Sequence, residues 1–232
     1  ECFERLVFPF SQRPSHTALR RTVMRQPFAE CLQPNPILAP WMRHIRSTLA
    51  PHAMVSPGTT TDGASSTVRV VLSARRHLDM EGDTKSVSRQ LANEAEVFAM
   101  VREVASKMSA LRGVRVAAEL RDFATLTLAE QLELDARTRI LIGNHGAGLT
   151  HCAFLAERAS CVEISSGCAK NDRITSSVAF MYANLAQWTG HSYACFYAPH
   201  GEGISGRVVD VEALRQVVYT QLELQLDLVA TA

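Results

Sequence analysis

RILIGNHGAGLTHCAFLA, residues Arg139 to Ala156, decides the fold. An apolar run from Arg139 to Ile142 leads into Gly143, a turn holds Gly146 and Gly148, and an apolar stretch of helical character begins near Leu149. A strand passing through a glycine-rich turn into a helix is the signature of a βα unit. Without side chains at the turn the backbone can approach a ligand closely, and the N–H groups of the first helical turn point outward with a partial positive charge. The chemistry such a turn favours is capture of a phosphate or diphosphate. In open α/β sheets ligands sit beyond the carboxyl ends of the strands, where this turn lies.

The motif also excludes. Its glycine spacing, GxxGxG, differs from the dinucleotide fingerprint GxGxxG, and no acidic residue stands in the frame about twenty residues on, which disfavours NAD. No lysine comes after the glycines, so it is not a Walker loop. His145-Gly146-Ala147-Gly148 also fits an oxyanion turn, the mark of a hydrolase, but the chain has no GxSxG nucleophile elbow. A packing role for the glycines alone is the remaining alternative.

Outward from this segment, short β-branched runs alternate with amphipathic stretches from Thr67 onward. The expected strands are Val68 to Leu72, Val114 to Ala118, Arg139 to Ile142, Cys161 to Ile164 and Ser192 to Tyr197. Asn93 with Glu96, ahead of Phe98, Val101, Ala105 and Met108, predicts a helix opened by a capping box. Thr127 with Glu130 predicts a second box, ahead of Leu128, Leu132 and Leu134. Further helices are expected from Thr175 to Trp188 and from Val211 to Leu228, the latter capped by Asp210. The pattern reads as a Rossmann-like, doubly wound, mainly parallel α/β sheet.

The first 66 residues differ: they hold eight of the nine prolines, which argues against long regular elements apart from one helix, Trp41 to Leu49. The turn-forming stretch PGTTTDGASST, Pro57 to Thr67, marks the expected division between residues 1–66 and 67–232. With 232 residues, 47% apolar and 20% charged, the chain has the composition of a globular protein with a buried core. A net charge of +1 gives no basic field for nucleic acid, so an anion site has to be built locally. No apolar run approaches the roughly 18 residues of a membrane span, and a membrane anchor is expected only outside this chain. The six cysteines form no CxxC pair, so no zinc ribbon is expected. Cys161 and Cys195 read as small buried hydrophobes, with one disulfide as the alternative.

Four features in order resemble glycosyltransferase family 61. They are the strand end LSARR (Leu72 to Arg76), the helix start RQLANEAEV (Arg89 to Val97), the long segment LTLAEQLELDARTRILIGNHGAGLTHCAFL, and CVEIS with Glu163 trailed by YANLAQWTGHSY. The opening ECFERLVFP is similar to the segment that ends the family's first lobe. The resemblance implies a GT-B architecture of two Rossmann-like lobes, of which this chain carries the second with a proline-rich remnant of the first. It further implies an inverting, metal-independent transfer of N-acetylglucosamine or a pentose from a UDP-sugar to a hydroxyl of a glycoprotein or glycan, with the UDP-sugar as co-substrate and no cofactor. The lack of a DxD string fits a site without metal.

On this resemblance Arg75, Arg76 and Arg89 are expected to meet the diphosphate, since guanidinium forks bind phosphate oxygens in pairs. The backbone of Gly146, Ala147, Gly148 and Leu149 supplies further donors, His145 contacts the nucleotide or braces the turn, and Glu163 accepts from ribose hydroxyls. His151 is expected to be structural. The general base belongs to the first lobe, and neither His16 nor Asp62 has a context that singles it out. The Golgi or endoplasmic reticulum lumen is the compartment the family implies. A hydrolase and a non-catalytic nucleotide- or glycan-binding lobe are the alternatives.

Overall fold

The computed structural model describes residues 36–51, 67–75, 90–168, 180–199 and 206–231. Arg76, Arg89, His16 and Asp62 lie outside the described residues, as does the start of the helix expected from Thr175.

Among the described residues the chain builds one five-stranded sheet from β1 (Val68–Ala74), β2 (Val116–Asp122), β3 (Thr138–Asn144), β4 (Ser160–Ser165) and β5 (Ser192–Tyr197). Every pairing is parallel and the order is β2-β1-β3-β4-β5. This doubly wound order turns back between β1 and β3, so their carboxyl ends flank the switch point, the place where open α/β sheets bind their ligands. The α/β, Rossmann-like expectation is what the structure shows.

Helices α1 (Leu38–Leu49), α2 (Glu94–Arg112), α3 (Leu128–Arg137), α4 (Phe180–Thr189) and α5 (Val211–Ala230) cover the sheet. Side-chain alternation sorts each strand between two faces. Val68, Val70, Leu72, Ile140, Ile142, Val162 and Ile164 enter one core with α2 and α5. Val71, Leu141 and Cys161 enter the other with Leu149, Leu155 and α4. At about 25 cal/mol per Å² of apolar surface removed from water, these two cores are the main source of stability. Helix α1 packs on the second face, where Arg46 Nη1 donates to Phe154 O at 3.0 Å and Leu155 O at 2.8 Å. Residues 38–50 are thereby part of the layer that covers the 67–232 sheet, with Ala50 buried.

Local chemistry accounts for the helix starts. Thr127 and Glu130 form the reciprocal capping box that the spacing predicts, and the Asp210 side chain accepts from Ala213 N. At Asn93 the expected box does not form. Its amide is drawn across the fold instead, donating to Val209 O at 2.9 Å and accepting from Val209 N at 3.0 Å. This clamp satisfies two main-chain groups of the segment leading into α5, which a local cap would leave open.

Two disulfides, Cys152–Cys161 and Cys168–Cys195, replace the reading of Cys161 and Cys195 as free apolar residues. Burial alone does not distinguish a thiol from a half-cystine. The pairing depends on Cα separations of 5.9 and 5.5 Å that only the folded chain creates.

Candidate functional site

The turn after β3 lies at the switch point. Ser73 of β1 stands in register with Gly143 of β3, and a Cβ on Gly148 would come to 3.4 Å from Ser73 Oγ, so the turn folds back over the end of β1. Gly143 lies under Leu149, where a Cβ would meet Cδ2 at 2.9 Å. The backbone then passes through Gly146 at φ 157°, ψ −178°, a region from which side chains are excluded.

In place of the α-helix expected near Leu149, the chain winds into a 3₁₀ segment, Ala147–Phe154, opened by a bond from Leu149 N to Gly146 O at 3.0 Å. Four attachments hold this tighter winding. Thr150 Oγ1 donates to Ala147 O at 2.6 Å, and His151 Nδ1 lies 2.7 Å from Asp135 Oδ2 with its ring stacked on Phe123 at 4.1 Å. Cys152 is bonded to Cys161, and Arg46 covers the closing carbonyls. Burial pushes the Asp135 carboxyl upward, an effect the His151 hydrogen bond opposes. This arrangement agrees with a structural role for His151.

At the front of the segment, no partner among the described residues accepts from the N–H groups of Gly146, Ala147 and Gly148. The carbonyls of the first two, by contrast, are engaged: Tyr182 of α4 donates its hydroxyl to Gly146 O, and Ala147 O takes the Thr150 bond. Three adjacent donors are thus left without a described partner, at buried Gly146, exposed Ala147 and half-buried Gly148, and unpaired amides at such a turn can take an anion. Arg75 comes directly after β1 at the same end of the sheet, half-exposed, and no described carboxylate pairs with it. Leu149 is buried and contributes packing through its side chain.

His145 extends the β3–β4 ladder, donating its N–H to Ile164 O at 2.9 Å. Its ring meets Tyr182 edge-on at 5.3 Å, and Nδ1 lies 2.5 Å from Glu163 Oε1. The other carboxylate oxygen, Oε2, accepts from the Tyr193 hydroxyl at 2.6 Å. Glu163 is completely buried, so its two oxygens face His145 and Tyr193 rather than solvent. Burial, then the charge and hydrogen bond of Glu163, pushes the Tyr193 phenol far above its ordinary range and keeps it a donor.

The β1–β3 register brings Arg75 level with His145 and beside the Gly146–Gly148 turn, with the side chains of Leu149 and Glu163 buried behind it and Arg76 and Arg89 outside the described residues. Sequence reasoning misses Tyr182 and Tyr193. Both stand in YANLAQWTGHSY, but their direction is set only by the crossovers that carry α4 and β5 back beside the turn. Among the described residues no cluster of His, Cys, Asp or Glu has the geometry to hold a metal, and no helix is long and apolar enough to cross a membrane.

A search of curated proteins gives no match to this chain. The model of the family described as Glycosyltransferase 61, however, matches residues 2–162, well over half of the chain and inclusive of β1, the turn and part of β4. With that match joined to a doubly wound parallel sheet, the chain belongs to glycosyltransferase family 61.

Proposed function

We propose that this glycosyltransferase uses a UDP-sugar and transfers N-acetylglucosamine or a pentose, with inversion and without metal, to a hydroxyl of a protein or glycan acceptor. The observation that carries this reading is the set of three unpartnered N–H groups at Gly146, Ala147 and Gly148 beside Arg75. In the transfer the bond between the anomeric carbon and the diphosphate oxygen breaks as the acceptor oxygen attacks from the opposite face. The diphosphate gains charge as it leaves, and donors fixed in advance favour that state over the bound sugar-nucleotide. Main-chain N–H groups and guanidinium groups from Arg75, Arg76 and Arg89 can take up this charge without a divalent ion. The acceptor proton passes to a base, which in this reading belongs to the first lobe of a GT-B pair. A secretory-pathway lumen, Golgi or endoplasmic reticulum, is the compartment we propose, and the two disulfides support it because such bonds persist where thiols are not kept reduced.

Calorimetric titration of the full chain with UDP, in EDTA and again in magnesium, tests the reading. The expected result is equal affinity in both, weakened about tenfold by Arg75→Ala, the size of a lost charge-assisted hydrogen bond. Absence of UDP binding, or binding seen with magnesium alone, would refute it.

A further inference from the structure

Tyr193, Glu163 and His145 form a chain of contacts that runs obliquely across the sheet, from the amino-terminal half of β5 through the middle of β4 to the residue after β3. Cross-strand register explains the path. Cys161 is paired with Tyr193 and Glu163 with Cys195, so on this face of the β4–β5 ladder the two half-cystines alternate with the two relay residues. Both disulfides end beside the relay, one reaching into the 3₁₀ segment through Cys152 and the other tying Cys168 to β5. A buried carboxylate requires partners on both oxygens, and here it has them. Tyr193 donates its hydroxyl to Oε2, and the other partner of the carboxyl group among the described residues is His145 Nδ1 at Oε1, where a ring N–H would complete its pairing. The other ring nitrogen, Nε2, has no partner among the described residues and is not among the sealed, unpaired atoms.

We propose that Glu163 and Tyr193 are positioning residues: they hold the His145 ring with Nδ1 turned inward and Nε2 presented to the nucleotide, and Glu163 itself does not touch the ribose. The inference rests on the nucleotide-binding reading above but assigns the carboxylate a different task. The described titratable side chains touching His145 are Glu163 from β4 and Tyr182 from α4, with Tyr193 of β5 acting through Glu163. Tyr182 is already committed to Gly146 O.

A double-mutant cycle on the full chain separates positioning from general stabilisation. UDP affinity is measured for the wild type, Tyr193→Phe, His145→Ala and the pair, and unfolding curves are recorded for each. Tyr193→Phe is expected to weaken UDP about fivefold when His145 is present, within the range of one net hydrogen bond, and to change nothing in the His145→Ala background. An equal loss in both backgrounds, or none in either, overturns the proposal. Titration with 2′-deoxy-UDP tests the ribose separately. Glu163→Gln is expected to leave the ratio of UDP to 2′-deoxy-UDP affinity unchanged, whereas its collapse would make Glu163 a direct ribose ligand. Nitrogen-15 spectra of the His145 ring need no ligand. A proton on Nδ1 supports the relay even if UDP fails to bind and the nucleotide reading falls, while a bare Nδ1 overturns the relay even if UDP binds.

Discussion

His191 shows what a single buried residue can impose on the molecule. It precedes β5 with Nδ1 unpartnered, and burial, then the charge of Arg46, lowers its pKa to about 4. The unfolded chain therefore binds this proton below about pH 6.5 while the folded chain refuses it until about pH 4. Across that interval stability rises with pH, and below it up to about 3 kcal/mol is lost. Urea unfolding of the wild type and His191→Gln from pH 7 to pH 4 is expected to show a shallower acid slope in the variant; parallel slopes would remove His191 as the cause. Such properties are not legible in the sequence, because neither the burial of His191 nor its proximity to Arg46 is a local matter. The same holds for Tyr193 and Glu163. The sequence singles out Glu163, but as a ribose acceptor, and the partners its carboxylate takes stand 18 and 30 residues away in the chain.

At the scale of elements, periodicity and capping chemistry are legible over most of the sheet. All five strands fall where β-branched runs predict them, with boundaries shifted by a few residues, because a ladder continues as long as neighbouring strands offer partners. The Thr127 box is readable because both partners lie within one turn. Asn93 misleads because the Val209 main chain competes for its amide from 116 residues away. This contrast is measurable. Thr127→Ala, which removes an exposed cap, is expected to cost about 1 kcal/mol. Asn93→Ala leaves both groups of Val209 open and is expected to cost about 2 kcal/mol, so chemical denaturation that ranks the two in the opposite order would contradict the clamp. The 3₁₀ segment is equally hidden, since its winding is imposed by Asp135, Arg46, Tyr182 and Cys161, none of which belongs to it.

For the whole molecule, the disulfides bind the site to the body of the sheet. They close loops with sequence separations of 9 and 27 residues, for which chain entropy gives about 3 and about 4 kcal/mol. Reduction of the full chain is expected to lower the melting temperature and weaken UDP binding together, as both bonds end beside Glu163 and Tyr193. If thermal scans fall while calorimetry records unchanged affinity, the bonds brace the fold without bracing the site. The parallel sheet has a further geometric consequence. All five strands aim their carboxyl ends in one direction, whereas Gln225 of α5 meets Arg158 O and Ser160 Oγ at the opposite edge. The last turns of α5 consequently lie away from the glycine turn, where a fluorophore or a surface tether would leave the carboxyl ends of the strands unobstructed.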